Sequence, residues 1–280
     1  MKFTAAREAL LKPLQAVIGV VERRQTMPIL SNVLLITREG QLSVTATDLE
    51  VELVAQADVD TESGGEITVS GRKLLDICRA LPEGSDIHVS VSGEKLAVRA
   101  GRSKFNLATL PSAEFPVVVD IKAGQAFSVS QEALGRLFEK TLFSMAQQDV
   151  RYYLNGMLLE TGGGHLRAVA TDGHRLALCQ AEVDGKIDEQ QVIVPRKGVL
   201  ELQRLMSGEG DLNIELGANH IRIQLDGIRF TSKLIDGRFP EYERVIPKES
   251  SNELKADRGA FRGALQRTAI LSNEKYRGIR

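Results

Sequence analysis

The sequence predicts an α+β fold made from one unit used twice and begun a third time. Three observations carry that reading. The chain is similar to itself at a single offset. Helix-period and strand-period apolar patterns follow one another in the same order in both copies. The composition, 42% hydrophobic and 26% charged over 280 residues, is that of an ordinary globular protein with about two domains.

A displacement of 124 residues places Phe3 on Phe127, and Glu8, Ala9 and Leu10 on Glu132, Ala133 and Leu134. It places Ala46, Thr47 and Asp48 on Ala170, Thr171 and Asp172, and Lys73 on Lys197. Leu110 falls on Leu234, and Phe115 and Pro116 fall on Phe239 and Pro240. A third copy opens near Leu254, where LKADRGAFRGALQRTAILS is similar to FSVSQEALGRLFEKTLFSM at an offset of 127. The predicted domains are therefore 1–120, 127–246 and an incomplete 252–280, with boundaries at 117–126 and 242–252. The last piece is too short to bury a core, so it is expected to be a fragment or a vestigial copy.

Each unit opens with a short strand and a helix. In residues 5–21, Leu10, Leu14, Val17 and Val21 share one helical face, and Pro13 predicts a kink or a displaced start. Alternating strands follow in VLLITR, LSVTAT and VELVAQADVD, with Glu39-Gly40 as a turn. A second helix from Gly71 to about Leu81 ends at Pro82. DIHVSVS, KLAVRA and SKFNLATL complete the unit. The second unit repeats this order, with helices over about 131–144 and 197–207 and strands in GMLLET, HLRAVAT, RLALCQAEV, LNIELG, HIRIQLD and RFTSKLI. Gly162-Gly163-Gly164 reads as a hairpin turn, since no helix follows it to make a phosphate cradle. Each unit is thus two helices on an antiparallel sheet.

Thirty-six basic and 37 acidic residues leave a net charge of -1, so any grip on a polyanion must come from how charge is distributed. At helical spacing, Arg72 and Arg79 oppose Leu74, Ile77, Cys78 and Leu81. Arg136 and Lys140 oppose Leu134, Leu137, Thr141 and Met145. Lys197 and Arg204 oppose Val199, Leu202, Leu205 and Met206. A solvated face is the ordinary reading of one such helix; three of them in two copies of one unit make a positive track suited to phosphates without base reading. The acids gather in loops and strands.

Other function classes find little support. Cys78 and Cys179 lie in apolar runs and read as reduced core thiols, which fits a cytoplasmic protein. There is no apolar stretch of signal-peptide or membrane-spanning kind. His88, His165, His174 and His220 have no partners at metal-ligand spacing, and no nucleotide-cradle or nucleophile-elbow motif occurs. No metal or cofactor is expected. Asp172-Gly173-His174-Arg175 is the most pointed polar cluster. As an acid–base pair it lacks a nucleophile, and it reads better as a turn carrying an exposed binding group.

The strings MPILSNVLL, MAQQDVRYYLNG, VATDGHRLAL, VPRKG, DGRFPEYERVIP and AILSNEKYRGIR together resemble the bacterial DNA polymerase III β-subunit family, the sliding clamps, over the whole chain. The resemblance implies a DNA clamp fold, with helices lining the hole of a ring closed by two head-to-tail protomers. It implies a non-catalytic processivity factor that encircles double-stranded DNA without reading sequence. Implied partners are the DNA polymerase III α subunit, the clamp loader δ subunit and other proteins with clamp-binding motifs. By motif, Arg24, Arg72, Arg79, Gln148, Tyr152, Tyr153 and Arg196 match DNA-contacting positions. The partner-peptide cleft falls on Leu154, Thr171, Gly173, His174, Arg175 and Leu176, with Pro240, Arg244 and Val245. The protomer interface falls on Lys73, Ile77, Leu81, Phe105 and Leu107, opposite Ile270 and Leu271. The loop 22–25 departs from Gly-rich forms of the family. Most of a third domain is missing from the pattern, so the alternative expectation is a truncated clamp fragment that binds partner peptides but cannot close a ring on DNA.

Overall fold

The computed structural model describes residues 1–21, 27–118, 122–183, 185, 187–248 and 251–272. These fall into two compact units, 1–239 and 240–280. The first unit contains both full repeats.

In the first repeat the order is β1 (Lys2–Ala6), α1 (Arg7–Val17), β2 (Asn32–Arg38), β3 (Gln41–Thr47), β4 (Val51–Asp58), β5 (Asp60–Ser63), β6 (Gly65–Ser70), α2 (Gly71–Ala80), β7 (Asp86–Ser92), β8 (Lys95–Ala100) and β9 (Ser103–Leu110). The second runs β10 (Ala123–Ser130), α3 (Gln131–Thr141), β11 (Gly156–Gly162), β12 (His165–Thr171), β13 (Leu176–Glu182), β14 (Gln190–Pro195), α4 (Arg196–Leu205), β15 (Asp211–Gly217), β16 (His220–Leu225) and β17 (Ile228–Lys233). Every element of the second repeat has its counterpart 124 residues earlier, to within three residues at its ends.

One strand of each repeat, GEITVS in the first and QQVIVP in the second, is not predicted by the sequence pattern, nor is β5. β6 and β14 are short runs leading straight into a helix, and periodicity cannot separate such a run from the helix's own first turn; β5, DTES, is polar and carries no apolar pattern. Pro13 does not displace α1, which starts at Arg7 and tightens into a 3-10 turn at Ile18–Val20. Leu10, Leu14 and Val17 are fully buried and contribute about 2 kcal/mol each. Together they outweigh the roughly 3 kcal/mol that a proline costs inside a helix.

The sheets do not stop at the repeat boundary. β4 of the first repeat pairs antiparallel with β17 of the second, from Val51↔Ser232 to Ala55↔Ile228. One sheet of 13 strands therefore runs β10-β15-β16-β17-β4-β3-β2-β6-β9-β8-β7-β1-β5, beside a four-stranded sheet β13-β12-β11-β14. By repeat, β13 is the counterpart of β4 and β9 of β17. Among the described residues β13 pairs only with β12, and β9 pairs beyond β8 only through Thr109 and Leu110. Each repeat thus leaves open the edge that its neighbour has used.

The hairpin turns repeat as well. Glu39 and Gly40 both have positive φ, as do Gly163 and Gly164 one repeat later. That is the pattern a two-residue hairpin needs to match strand twist.

The second unit, 240–280, is described by its own features. A 3-10 turn at Tyr242–Arg244 precedes α5 (Arg258–Ala269). Asp257 caps α5 by accepting from the Ala260 N–H at 2.8 Å, as Ser130 caps α3 by accepting from the Ala133 N–H at 3.1 Å. The two caps are 127 residues apart. None of the described residues of α5 is buried, and Phe261 and Leu265 on it are exposed.

Candidate functional site

The two turns after β3 and β12 are the best-defined polar features of the chain. In the second, Thr171 Oγ1 donates to the Arg175 carbonyl at 2.7 Å and accepts from the Gly173 N–H at 3.1 Å. Asp172 Oδ1 accepts from the N–H groups of His174 and Arg175, and its Oδ2 accepts from Arg175 Nε at 3.0 Å. Those bonds hold the Asp172 carboxyl below its ordinary range, against the opposing effect of burial. With both oxygens engaged, Asp172 is a turn-former, and no hydrogen bond joins it to the His174 ring. In the first turn, Thr47 Oγ1 donates to the Val51 carbonyl and accepts from the Leu49 N–H, while Asp48 Oδ1 accepts from the Glu50 and Val51 N–H groups. One hydrogen-bond scheme serves at both places.

A loop packs against the second turn. Asp149 and Asn155 bond reciprocally, the Asp149 N–H to Asn155 Oδ1 at 2.9 Å and Asn155 Nδ2 to the Asp149 carbonyl at 2.8 Å. The Asp149 carboxylate accepts from Arg151 Nε at 3.0 Å and Nη2 at 2.8 Å. The Arg151 side chain is the main cause that holds the Asp149 pKa at about 2. Arg151 also donates to the Asp172 carbonyl at 3.4 Å. A Cβ placed on Gly173, whose φ is +87°, would lie 3.1 Å from that guanidinium. Gln148, at φ +56°, rides on this loop and is exposed. Tyr152 is exposed and meets half-buried Tyr153 edge to face, 5.8 Å between ring centroids. His174 and Arg175 are exposed, Leu176 is half-buried, and Leu154 and Thr171 are buried in support of the turn. The Arg175 guanidinium lies 5.7 Å over the exposed Phe143 ring. Pro240, Arg244 and Val245 belong to the second unit, where all three are exposed and Arg244 pairs with Glu241.

The basic helices divide into two groups. Arg79, Arg136 and Lys140 are exposed, as their helical spacing predicts, and so is Lys73. Lys197 and Arg204 are not free outward charges, and this corrects the reading from spacing. Lys197 pairs with Asp48 of the first repeat. Arg204 reaches the Gln15 and Ala16 carbonyls at the end of α1, at 3.3 and 2.5 Å, while holding Glu201. The spacing shows which side of α4 avoids its own core; it cannot show that the other repeat packs there. Arg72 is likewise half-buried and donates to the Val21 carbonyl at 2.5 Å. Arg196 is half-buried. Arg24 lies outside the described residues.

Among the interface residues suggested by resemblance, Lys73 is exposed and Ile77, Phe105 and Leu107 are half-buried on α2 and β9. Leu81 is 6% exposed and belongs to the core behind them. Ile270 and Leu271, in the second unit, are 78% and 94% exposed. Sequence reasoning missed Arg151, Asn155 and Phe143, whose partners are set by the loop's path. The Asp48–Lys197 pair left a signal, since both residues recur at the 124-residue offset.

A duplicated α+β unit, joined edge to edge through its sheet and with exposed cations along its helices, defines the clamp class of repeat-built binding proteins. Comparison with known proteins makes the class specific. The family model for the DNA polymerase III beta subunit N-terminal domain matches residues 1–119, and that for the central domain matches 128–241. The beta sliding clamp of Pseudomonas aeruginosa is 58% identical over all of this chain and 77% of its own length. That of Escherichia coli is 52% identical with the same coverage. A solved Pseudomonas aeruginosa sliding clamp, bound to griselimycin, superposes with a TM-score of 0.95 over 99% of this chain and 76% of its own, at 57% identity. The Caulobacter crescentus clamp does so at 0.93 over 97% of this chain and 76% of its own, at 41% identity. The chain belongs to the DNA polymerase III β-subunit family, the bacterial sliding clamps. As such it is a non-catalytic clamp for the replicative DNA polymerase and binds DNA and partner proteins. Among the described residues no helix is long and apolar enough to cross a membrane.

Proposed function

We propose that the chain carries two working surfaces of the clamp side by side. The first meets the backbone of double-stranded DNA through exposed Arg79, Gln148 and Tyr152 and half-buried Arg72, Tyr153 and Arg196, with Arg24 added on the family resemblance alone. The second receives the short motifs of the DNA polymerase III α subunit, the clamp loader δ subunit and related partners at Gly173, His174, Arg175 and Leu176, over Leu154 and Thr171. The observation that carries this reading is the bond from Arg151 to the Asp172 carbonyl. It fastens the loop bearing Gln148 and Tyr152 to the turn bearing His174 and Arg175. Pro240, Arg244 and Val245 join the cleft on the family resemblance alone. The same holds for domains at 1–120, 127–246 and 252–280, and for a cytoplasmic homodimer whose joint uses Lys73, Ile77, Phe105 and Leu107, backed by Leu81, against Ile270 and Leu271. The open edge of β9 supports that joint, because an unpaired edge invites a partner strand.

One experiment tests both surfaces. Fluorescence anisotropy with a clamp-motif peptide, on the chain and its Arg175→Ala and Arg79→Ala variants, is expected to show about tenfold weaker binding for the first and no change for the second. Binding to duplex DNA in low salt is expected to show the reverse. Equal peptide binding by all three proteins would refute the cleft, and equal DNA binding would refute the track.

A further inference from the structure

The joint between the repeats carries a groove that the clamp reading does not use. It has a volume of about 510 Å³ and is walled by Leu49 of the first turn and Val117 of the segment between the repeats. Lys122, His220 and Lys233 also line it. A second hollow of about 600 Å³ on the β14 and β17 side shares His220 and Lys233 with it. We propose that this groove is a second peptide-binding site, for an extended segment that presents an acidic side chain between bulky apolar ones.

The apolar half of the argument lies in Leu49 and Val117, which are 40% and 59% exposed. Leu49 sits at φ +79°, a left-handed conformation that costs a non-glycine residue about 1–2 kcal/mol. The second repeat has Gly173 in the same conformation at the same place. The first turn therefore holds a strained leucine at the mouth of a groove, where folding alone would be better served by glycine.

The charged half lies in the lining. Lys122, His220 and Lys233 are basic, and none of the described lining residues is acidic. Two of the carboxylates nearest in sequence are engaged elsewhere: Asp48 pairs with Lys197, and Glu52 is buried and accepts from the Val118 N–H at 2.8 Å; the third, Glu50, is exposed beside Leu49 and is not among the described lining residues. Burial first, then Lys233 and Arg222, lowers the pKa of His220, as a positive and partly desolvated site would. A volume of this size suits a short peptide's anchor side chains, and basic groups beside an apolar wall select an acidic, apolar-flanked segment over a neutral one. The choice of a peptide rests on the cleft reading of the 171–175 turn, because this groove is that turn's counterpart one repeat earlier.

Methyl NMR of the chain, labelled at leucine and valine, tests the proposal with a pool of hexapeptides that carry a central Asp flanked by Leu and Phe. The matched pool with Asn in its place is the control. Saturable shifts at Leu49 and Val117 are expected with the Asp pool. They should weaken about tenfold or more for the Asn pool and for the Lys122→Glu/Lys233→Glu variant, whose sites are on the surface. Signals of Leu176 report the other turn. Shifts at Leu176 with none at Leu49 and Val117 overturn the second site and leave the first reading standing. Shifts at Leu49 and Val117 without Leu176 do the opposite. Silence at both places refutes both. Equal binding of the Asn pool overturns the acidic ligand, and shifts that depend on protein concentration alone overturn the peptide in favour of a second copy.

Discussion

The turns at Thr47–Val51 and Thr171–Arg175 use the same threonine and aspartate in the same hydrogen bonds, yet their carboxylates do different work. In the first, Asp48 is 5% exposed and pairs with Lys197 from the other repeat. In the second, Asp172 pairs with Arg175 of its own turn, and the Arg175 side chain is 57% exposed. A motif that duplication made identical has become a joint in one copy and a presented surface in the other. Burial decides which, since a pair sealed from water fixes geometry whereas an exposed one mostly displays charge.

The largest expected effect breaks the joint. Lys197→Met would leave the Asp48 carboxylate buried without its cation and should destabilise the chain by about 3 kcal/mol. Arg175→Ala removes an exposed partner and should cost under about 1 kcal/mol. Urea unfolding of both variants checks this. Equal losses would mean that the two turns are equivalent and that the joint is held by the β4–β17 strands alone.

The next effect comes from the residue that follows each aspartate. Gly173→Ala introduces a Cβ at φ +87° close to the Arg151 guanidinium and should cost about 1–2 kcal/mol. Leu49→Gly releases strain of similar size but adds freedom to the unfolded chain and loses half-covered apolar surface. Its net change should stay within about 1 kcal/mol of zero, on the stabilising side. Thermal unfolding midpoints of the two variants should move in opposite directions. A large loss for Leu49→Gly would show that its side chain packs into the fold rather than waiting at the groove.

Much of this architecture is legible in the sequence because it is periodic. Phe3 on Phe127 and Ala46-Thr47-Asp48 on Ala170-Thr171-Asp172 reveal the duplication without any coordinates. The apolar faces of α2 and α4 follow from spacing. The fates of Lys197 and Arg204 do not, because a helix pattern distinguishes only the side that faces its own core. Whether the other side meets water or a second repeat depends on contacts between residues far apart in the chain. The loop at 146–155 is hidden for a related reason. Its shape rests on Asp149 bonding to Arg151 and Asn155, and on Arg151 reaching the Asp172 carbonyl, whereas the sequence points only to Gln148, Tyr152, Tyr153 and Leu154, through family resemblance. β6 and β14 were missed because short buried strands carry no alternation.

The smallest effect separates the joined edge from the open one by chemistry. Glu52 on β4 is 2% exposed and faces Thr231 of β17 in the register, whereas its counterpart on β13 is Leu176. Burial raises the Glu52 pKa, only partly offset by the Val118 N–H and by Arg229 and Arg222. A carboxyl whose folded pKa lies above its unfolded value favours folding most when protonated. Stability from this group is therefore greatest below the unfolded value, declines as pH rises through the folded one, and is lowest at neutral pH. Glu52→Gln keeps an oxygen to accept the Val118 N–H and removes the buried charge. It should raise the unfolding midpoint slightly at pH 7 and lose that advantage in acid, where the wild-type carboxyl is already neutral. A Gln variant less stable at pH 7 would show that the 3.9 Å pair with Arg229 outweighs desolvation. The joint would then be held by charge at Glu52 as well as at Asp48, in contrast to the open edge of β13, where Leu176 stands at the same position.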